Sequence, residues 1–272
     1  MDKKYLINQA KEVRVDALKM IQNAGSGNPG SALSCIEILV WLMLHEMKID
    51  HNDPKSIDRD RLILSKGHAA PVFYSICSKI GWIDRSELLG FRKFDTRLQT
   101  HPDYNTLNCI DYTSGSLGQG LSAANGMALA ARYLKQNNSR FFVLIGDGEM
   151  QEGQVWEAIM TAGSYKLGEI IVILDQNKFQ QDNSVDLIKS LHPIDKKMEA
   201  FGWDVALCDG HSFNSMREAI KRSNNNKPLM IVADTIKGKG VSIMENNNKW
   251  HVGGPKFTEE ILENAIKEII ND

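Results

Sequence analysis

The sequence is poor in cysteine and proline and carries almost no net charge. Its 272 residues include four cysteines and seven prolines, and the formal net charge is −2. No two cysteines form a C-x-x-C pair, so we expect free, buried thiols in a reducing cytoplasm rather than a disulfide framework. A charge this close to zero gives no electrostatic attraction to nucleic acid. These features predict a cytoplasmic protein that does not bind nucleic acid.

Long apolar runs and low-complexity linkers are also absent. No run approaches the length that a membrane-spanning helix needs, and the first residues resemble an amphipathic helix rather than a signal peptide. We therefore expect no membrane partner. With 42% apolar and 24% charged residues, the chain can build a sizeable core. The absence of a linker predicts a single domain over residues 1–272.

Hydrophobic periodicity predicts helices that alternate with short strands along the chain. The predicted helices cover residues 6–21, 36–47, 117–134, 154–166 and 261–270, and the predicted strands cover 62–64, 141–145, 170–174, 205–208 and 229–233. This alternation is typical of a doubly wound α/β fold, with a mostly parallel sheet and helices on both faces.

Two of these strands end abruptly in polar, turn-forming residues. The apolar run 141–145 leads into Gly146-Asp147-Gly148, and the run 170–174 leads into Asp175-Gln176-Asn177. With the helix between them, the two strands form a βαβ unit, so they run parallel and end at the same edge of the sheet. Open α/β sheets bind their ligands at that edge. A carboxylate and an amide oxygen beside a glycine favour a site for a magnesium diphosphate.

The Gly-Asp-Gly segment, with Asn177 at the end of the next strand, resembles the thiamine diphosphate motif. Other loops extend the resemblance in the order and spacing of the amino-terminal half of a transketolase. They are Ser65–Pro71 (SKGHAAP), Thr100–Asp103 (THPD), Thr113–Ser122 (TSGSLGQGLS) and Gly146–Gly153 (GDGEMQEG). The resemblance runs from about residue 10 to Trp250-His251 and implies the diphosphate-binding domain of the thiamine diphosphate-binding fold.

The resemblance implies a reaction and a cofactor site. The reaction is transfer of a two-carbon ketol unit, glycolaldehyde, from a ketose to an aldose through thiamine diphosphate. Asp147, Asn177 and the backbone carbonyl of Phe179 would hold Mg²⁺ or another divalent cation. The cofactor-binding residues would be His68, Gly115, Ser116, Leu117, Gly148, Glu152, Asn177 and His251.

The resemblance also assigns catalytic roles to loop histidines. His68 and His251 would contact the diphosphate and border the reacting carbon, and His101 would hydrogen-bond the ketol hydroxyls. Proton transfer on sugar oxygens favours groups whose pKa lies near neutrality. His211 has no counterpart that we can interpret, and we place the Lys237–Gly240 segment among solvated turns, outside the site.

One loop departs from the family pattern. Where transketolases usually have Gly-His-Pro-Gly, this chain has Gly27-Asn28-Pro29-Gly30. An amide can donate a hydrogen bond but cannot take up a proton. We interpret Asn28 as a catalytic position with an altered substrate or a lost proton relay. A purely structural role is the alternative, since Asn tolerates unusual backbone angles before proline.

A full transketolase continues with pyrimidine-binding and carboxy-terminal domains, which supply the glutamate that activates the cofactor ring and most sugar-binding groups. We expect these domains on a separate chain. The prediction is a split enzyme of two copies of each chain, active on sugars or sugar phosphates only when both chains are present.

Several alternatives remain open from the sequence. A nicotinamide dehydrogenase is a poor fit, because Gly115–Gly118 lacks the G-x-G-x-x-G pattern. The alpha subunit of a 2-oxo acid dehydrogenase shares the Gly-Asp-Gly and Asn elements but not the histidine-bearing loops. A non-catalytic paralogue has Asn28 as its one support. A transketolase-type enzyme for a branched, sulfonated or nucleotide-linked sugar fits the residues equally well.

Overall fold

The computed structural model describes residues 1–134, 139–254 and 256–271. Its strands are β1 (Arg61–Leu64), β2 (Phe141–Gly146), β3 (Ile170–Gln176), β4 (Asp204–Asp209) and β5 (Leu229–Asp234). Its α-helices are α1 (Lys3–Ala24), α2 (Pro29–Leu33), α3 (Ile36–Trp41), α4 (Ala70–Ile80), α5 (Gly120–Tyr133), α6 (Gly153–Ser164), α7 (Val185–Lys189), α8 (Ile194–Ala200), α9 (Phe213–Ile220) and α10 (Glu259–Asn271). Single turns of 3₁₀ helix lie at Gly67–Ala69, Arg85–Gly90, Glu149–Gln151 and Asn248–Trp250, and a π-helical turn at Leu42–Glu46.

The five strands form one sheet in the order β1-β2-β3-β5-β4. Every pair of neighbouring strands is parallel. The predicted doubly wound α/β architecture is confirmed. Because all strands point the same way, the residues that follow them collect at one edge of the sheet.

Helices cover both faces of the sheet, as predicted. Alternate side chains of β2 enter two different cores. Phe142 and Leu144 pack into a cluster with α1, α3, α4, α9 and α10, whereas Val143 and Ile145 pack into a cluster with α5, α6 and α8. The strands β1, β2, β3 and β5 are therefore buried on both sides, which explains why they are continuous apolar runs, whereas the edge strand β4 exposes Leu207.

Most helix ends have a local cause. Asp2 caps α1 by accepting a hydrogen bond from the Tyr5 amide at 3.0 Å, and Gly25 ends it in the left-handed region at φ 64°. The predicted helix over 36–47 is α3 followed by the π-helical turn, closed by a hydrogen bond from the Met47 amide to the Leu42 carbonyl at 2.8 Å.

The predicted helix over residues 117–134 corresponds to α5, but its predicted start at Leu117 is wrong. α5 begins at Gly120, and Gly115 to Gly118 belong to the loop before it. Gly118 has a left-handed φ of 84°, which a continuing helix cannot contain. The loop therefore presents its backbone to the sheet edge as an irregular segment and not as a helix N-terminus.

The cysteines are free and buried, as predicted from their spacing. None of the helices in the described part of the chain is both long and apolar enough to span a bilayer.

Candidate active site at the carboxyl edge of the sheet

The tips of β2 and β3 lie side by side. Gly146 is paired with Asp175 in the register of the two strands, and the Asp147 amide donates to the Asp175 carbonyl at 3.4 Å. Asp147 and Asn177 both line a cavity of about 450 Å³ at this edge. The predicted meeting of these two side chains thus occurs in the tertiary structure.

The cavity collects residues from loops far apart in the sequence. Of the residues predicted for the site, those that line it are Asn28, His68, His101, Gly115, Leu117, Asp147, Gly148, Glu152, Asn177, Phe179 and His251. Ser116 is exposed and does not line the cavity. The lining also includes Ser31, Lys66, Glu149, Gln151, Gln180, Gln181 and Asp182, which the sequence analysis did not single out.

Asp147 is a buried carboxylate held by backbone amides. Its side chain accepts hydrogen bonds from the Gly148 amide at 2.9 Å and the Lys178 amide at 2.6 Å. Burial, reinforced by the nearby Asp175 carboxylate, raises its pKa to about 7. No salt bridge within the described ranges includes Asp147. A divalent cation would supply the missing positive charge and favour the ionised form.

Asn177 is held in one orientation by its neighbours. Its Nδ2 donates to Ser34 Oγ at 3.3 Å and to Asp175 Oδ2 at 3.4 Å, and its Oδ1 accepts from the Phe179 amide at 3.1 Å. Because both protons of the amide face the protein, the oxygen is the atom left for a ligand.

The donor set at this edge favours a hard cation. A carboxylate, an amide oxygen and a backbone carbonyl are ligands typical of Mg²⁺, which also keeps waters and phosphate oxygens in its shell. Among residues 1–134, 139–254 and 256–271, no group of three or more His, Cys, Asp or Glu side chains is arranged to hold a metal. The residues present therefore fit magnesium bound together with a diphosphate.

A buried ion pair supports the floor of the cavity. Lys66 and Asp175 form a salt bridge, with side-chain exposures of 1% and 0%. Asp175 also accepts hydrogen bonds from Ser34 Oγ at 2.6 Å and from the Thr235 hydroxyl, and Lys66 donates to the Ser31 carbonyl at 2.9 Å. Each charge is thus both paired and hydrogen-bonded, as burial requires.

The three loop histidines share the cavity, but the pKa of each lies below the near-neutral value that the proposed proton transfer favours. The rings of His68 and His251 lie 6.2 Å apart between centroids. Burial and the nearby Lys66 lower the pKa of His68 well below its usual value, and burial with Lys237 lowers that of His251 to about 4. Burial also lowers the pKa of His101. All three are neutral at pH 7 in the unliganded protein, so they act as hydrogen-bonding groups and not as cations.

Comparison with known proteins gives the family. A family model described as the thiamine diphosphate binding domain of transketolase matches residues 6–268. The chain belongs to the transketolase family. Its domain is the one with which transketolases bind thiamine diphosphate and a divalent cation.

Relatives of the chain fall into two sizes. Human transketolase is 38% identical over 264 residues, which cover 97% of this chain and 42% of that protein. A 6-deoxy-6-sulfo-D-fructose transketolase subunit from a Clostridium species is 40% identical over 266 residues, which cover 97% of this chain and 96% of that protein. The chain thus spans less than half of the human relative and nearly all of the Clostridium subunit.

Solved transketolases share the fold. The structure of Campylobacter jejuni transketolase matches with a TM-score of 0.92 at 31% identity, covering 99% of this chain and 43% of that one. Leishmania mexicana transketolase matches with a TM-score of 0.91 at 29% identity, covering 97% of this chain and 41% of that one.

Lys237 lies behind the cavity wall, against His251, although the sequence analysis placed it among solvated turns. Its side chain is buried, donates to Asn248 Oδ1 at 2.7 Å and contacts His251 Nδ1 at 2.9 Å. Burial and the charge of Lys66 lower its pKa to about 8. The signal that could have identified it is its position just after β5, at the same sheet edge as Asp147.

Asn28 ties two loops of the transketolase domain together. Its Nδ2 donates to the backbone carbonyl of His251 at 3.2 Å. Gly30 follows closely, and a side chain there would collide with the Trp250 carbonyl and the Lys237 stem. The 27–30 loop therefore packs directly against the loop that carries His251, which supports the structural alternative for Asn28.

Gly148 is required by packing. A Cβ at this position would lie 2.6 Å from Gln180 Cβ, whereas one at Gly146 would meet open space. The close approach of the 178–182 loop thus explains the second glycine of Gly-Asp-Gly.

His211 lies outside the cavity and has a structural role. Its Nδ1 lies 2.9 Å from Glu37 Oε2, and its Nε2 accepts from the Ile236 amide at 2.9 Å. The ring thereby anchors the segment that leads to Lys237.

Proposed function

We propose that this chain binds magnesium and thiamine diphosphate and, with a second chain, transfers a two-carbon ketol unit from a ketose to an aldose. The observation that carries the proposal is the convergence of Asp147, Asn177 and three loop histidines on one cavity of a transketolase-family domain. When bound, thiamine diphosphate supplies the nucleophilic carbon and the electron sink for making and breaking carbon–carbon bonds.

One end of the cavity would hold the metal and the diphosphate. Asp147, the amide oxygen of Asn177 and the backbone carbonyl of Phe179 would be the protein ligands of Mg²⁺, and the Gly148 amide would donate to the diphosphate. The burial of Asp147 and its raised pKa support this role, since a cation removes the cost of ionising it.

The other end would hold the cofactor rings. Gly115 and Leu117 line the cavity, and Glu152 lies at its rim. Backbone groups of the 115–117 loop, including that of Ser116, would contact the aminopyrimidine. This assignment needs no helix dipole, which is consistent with the start of α5 at Gly120.

The histidines would orient the substrate and carry protons. The Lys237 ammonium is a donor only, so its contact with His251 Nδ1 places the proton of the neutral ring on Nε2. His251 Nε2 can then donate to a ligand oxygen. His68 would contact the diphosphate, and His101 would donate to the ketol hydroxyls as a neutral ring.

A partner chain would complete the enzyme. The Clostridium relative that this chain covers almost end to end is itself described as a subunit. We propose that a carboxy-terminal transketolase subunit supplies the remaining cofactor and sugar contacts, in an assembly of two copies of each chain. Asn28 would tune the choice of donor or acceptor from beside His251.

The test combines binding with turnover. The purified chain is titrated with thiamine diphosphate in the presence and absence of Mg²⁺, and then assayed with a ketose and an aldose, alone and with the partner subunit. We expect metal-dependent binding and turnover only in the mixture. Turnover by this chain alone would refute the split enzyme, and the absence of any metal-dependent cofactor binding with the partner present would refute the proposed function.

A second candidate concerns the sugar. The Clostridium relative is described by its action on 6-deoxy-6-sulfo-D-fructose, and its 40% identity extends over nearly the whole of both chains. We propose a sulfonated ketose as an alternative donor. Comparing kcat/KM for 6-deoxy-6-sulfo-D-fructose with that for fructose 6-phosphate decides between the two, because only the terminal anionic group differs.

A further inference from the structure

Glu149 is a buried carboxylate with hydrogen bonds to three parts of the cavity wall. It is 3% exposed. Its Oε1 accepts from the Ser65 hydroxyl and from the Gly118 amide at 2.8 Å, and its Oε2 accepts from the Gly146 amide at 3.1 Å. All three partners are donors, which suits an ionised carboxylate, an acceptor on both oxygens.

Two of the donors stand next to a residue proposed to bind the cofactor or metal, and the third begins a loop that carries one. Gly118 follows Leu117 on the aminopyrimidine side, and Gly146 precedes Asp147 on the metal side. Ser65 begins the loop that leads to His68. A single side chain thus connects loops that carry the two ends of the cofactor site.

The connection extends into α5. The Ser65 hydroxyl, while donating to Glu149, accepts from the Gly120 amide at 3.2 Å. Gly120 is the first residue of α5. A Cβ at Gly120 would collide with the Ser65 side chain, so the two segments are in the closest contact that a glycine permits.

We propose that Glu149 is a positioning residue that sets the distance between the 115–118 loop and the tip of β2, and thereby the affinity for magnesium and thiamine diphosphate. The inference rests on the proposed function. Glu149 acts through the backbone amides of Gly118 and Gly146. Neither glycine has a side chain that could make this connection instead. Its two carboxylate oxygens reach both amides at once.

The variant Glu149→Gln tests the carboxylate while keeping its shape. A glutamine accepts on one oxygen only, so its NH₂ group would face either the Gly146 amide or the Gly118 amide, donor against donor. The loss of a charge-assisted hydrogen bond predicts an affinity for magnesium with thiamine diphosphate that is lower by about 10- to 100-fold.

Asp16→Asn is the matched control. Asp16 is also a buried carboxylate and accepts from one serine hydroxyl, that of Ser75 at 2.8 Å, and from two N–H groups of Arg85 at 3.0 and 2.7 Å. It lies on α1, away from the cavity. Asp16→Asn also weakens an ion pair with Arg85, so it loses at least as much stability, and a general loss of stability affects both variants.

The experiment is calorimetric titration of the wild-type chain and both variants with Mg²⁺ and thiamine diphosphate, at a temperature where all three are folded by circular dichroism. The amide proton shifts of Gly118 and Gly146 are followed by NMR without cofactor. We expect weaker binding in Glu149→Gln alone, with an upfield shift of whichever amide then faces the NH₂ group. Wild-type affinity in Glu149→Gln, or an equal loss in Asp16→Asn, would overturn the inference. Failure of the wild-type chain to bind, with the partner subunit present, would instead overturn the proposed function and this inference with it.

Discussion

The Lys66–Asp175 ion pair gives the most demanding test of how this site is held. Replacing Lys66 by Met keeps the length of the aliphatic stem and removes the ammonium group. Asp175 is then left fully buried with a negative charge and no cation, although the hydroxyls of Ser34 and Thr235 still donate to it. Removing one partner of a buried pair costs about 3–5 kcal/mol, because the remaining charge cannot return to water.

The expected loss is large for this chain. For a protein of 272 residues, about 1 kcal/mol shifts Tm by about 2 °C, so Lys66→Met should lower Tm by about 6–10 °C. Asp175→Asn should cost a similar free energy of unfolding, because it leaves Lys66 buried and unpaired. Urea unfolding followed by far-UV circular dichroism gives the free energy, and scanning calorimetry gives Tm.

The double variant Lys66→Met/Asp175→Asn tests whether the single losses arise from leaving one buried charge unpaired. Both charges are then absent, and the asparagine can accept from the Ser34 hydroxyl through its oxygen and donate to the Thr235 hydroxyl through its NH₂ group. We expect the loss in free energy of unfolding of the double variant to be smaller than the sum of the two single losses by at least about 1 kcal/mol. Strictly additive losses, or single losses below about 1 kcal/mol, would refute the view that burial of the charges dominates.

A surface pair serves as the control. Lys196 and Glu199 form an ion pair with side-chain exposures of 67% and 53%. Lys196→Met should leave the free energy of unfolding nearly unchanged, because solvent screens the exposed pair. A loss as large as that of Lys66→Met would show that burial is not the cause.

Asp147→Asn removes the carboxylate from the proposed metal ligands and should weaken magnesium-dependent binding of thiamine diphosphate at least about 100-fold by calorimetry, whereas unchanged binding would exclude Asp147 as a ligand. Burial opposes ionisation of Glu37, but Arg14 and His211 outweigh it and lower its pKa to about 2. The stability that Glu37 contributes is therefore complete above its unfolded pKa and is lost as the pH falls towards 2, and Glu37→Gln should flatten this part of the stability–pH curve measured with urea. Asn28→His should change the preference among donor or acceptor sugars, and unchanged steady-state kinetics with several sugars would leave Asn28 a purely structural tether.

The strands were predictable because four of the five, β1, β2, β3 and β5, are buried on both faces. Each appears in the sequence as a continuous apolar run, and polar turn residues mark where β2 and β3 end. Helices α2, α4, α7, α8 and α9 were not predicted from the sequence, and the predicted start of α5 was too early. A glycine-rich stretch fits both a helix and a loop, and only the contacts of Gly118 with Glu149 and with the neighbouring α6 loop select the loop.

The candidate site was predictable in part. Asp147, Asn177 and the three histidines follow recognisable local patterns, so the sequence identified them. Lys237 and Glu149 do not, because a lysine in a short turn and a glutamate in a polar run are usually solvated. Their burial depends on contacts between loops that are far apart in the sequence, and the spacing of residues in the sequence does not show those contacts.

The amino-acid sequence by itself determined the βαβ unit, the parallel sheet and the family, since these depend on local periodicity and on short motifs in a fixed order. The tertiary structure alone decided the electrostatic state of the site. It buries Lys66 with Asp175, and it brings Lys237 to His251 and lowers the pKa of both groups. The physical reason is that a charge depends on its solvation and on neighbours within a few ångströms, and packing sets both.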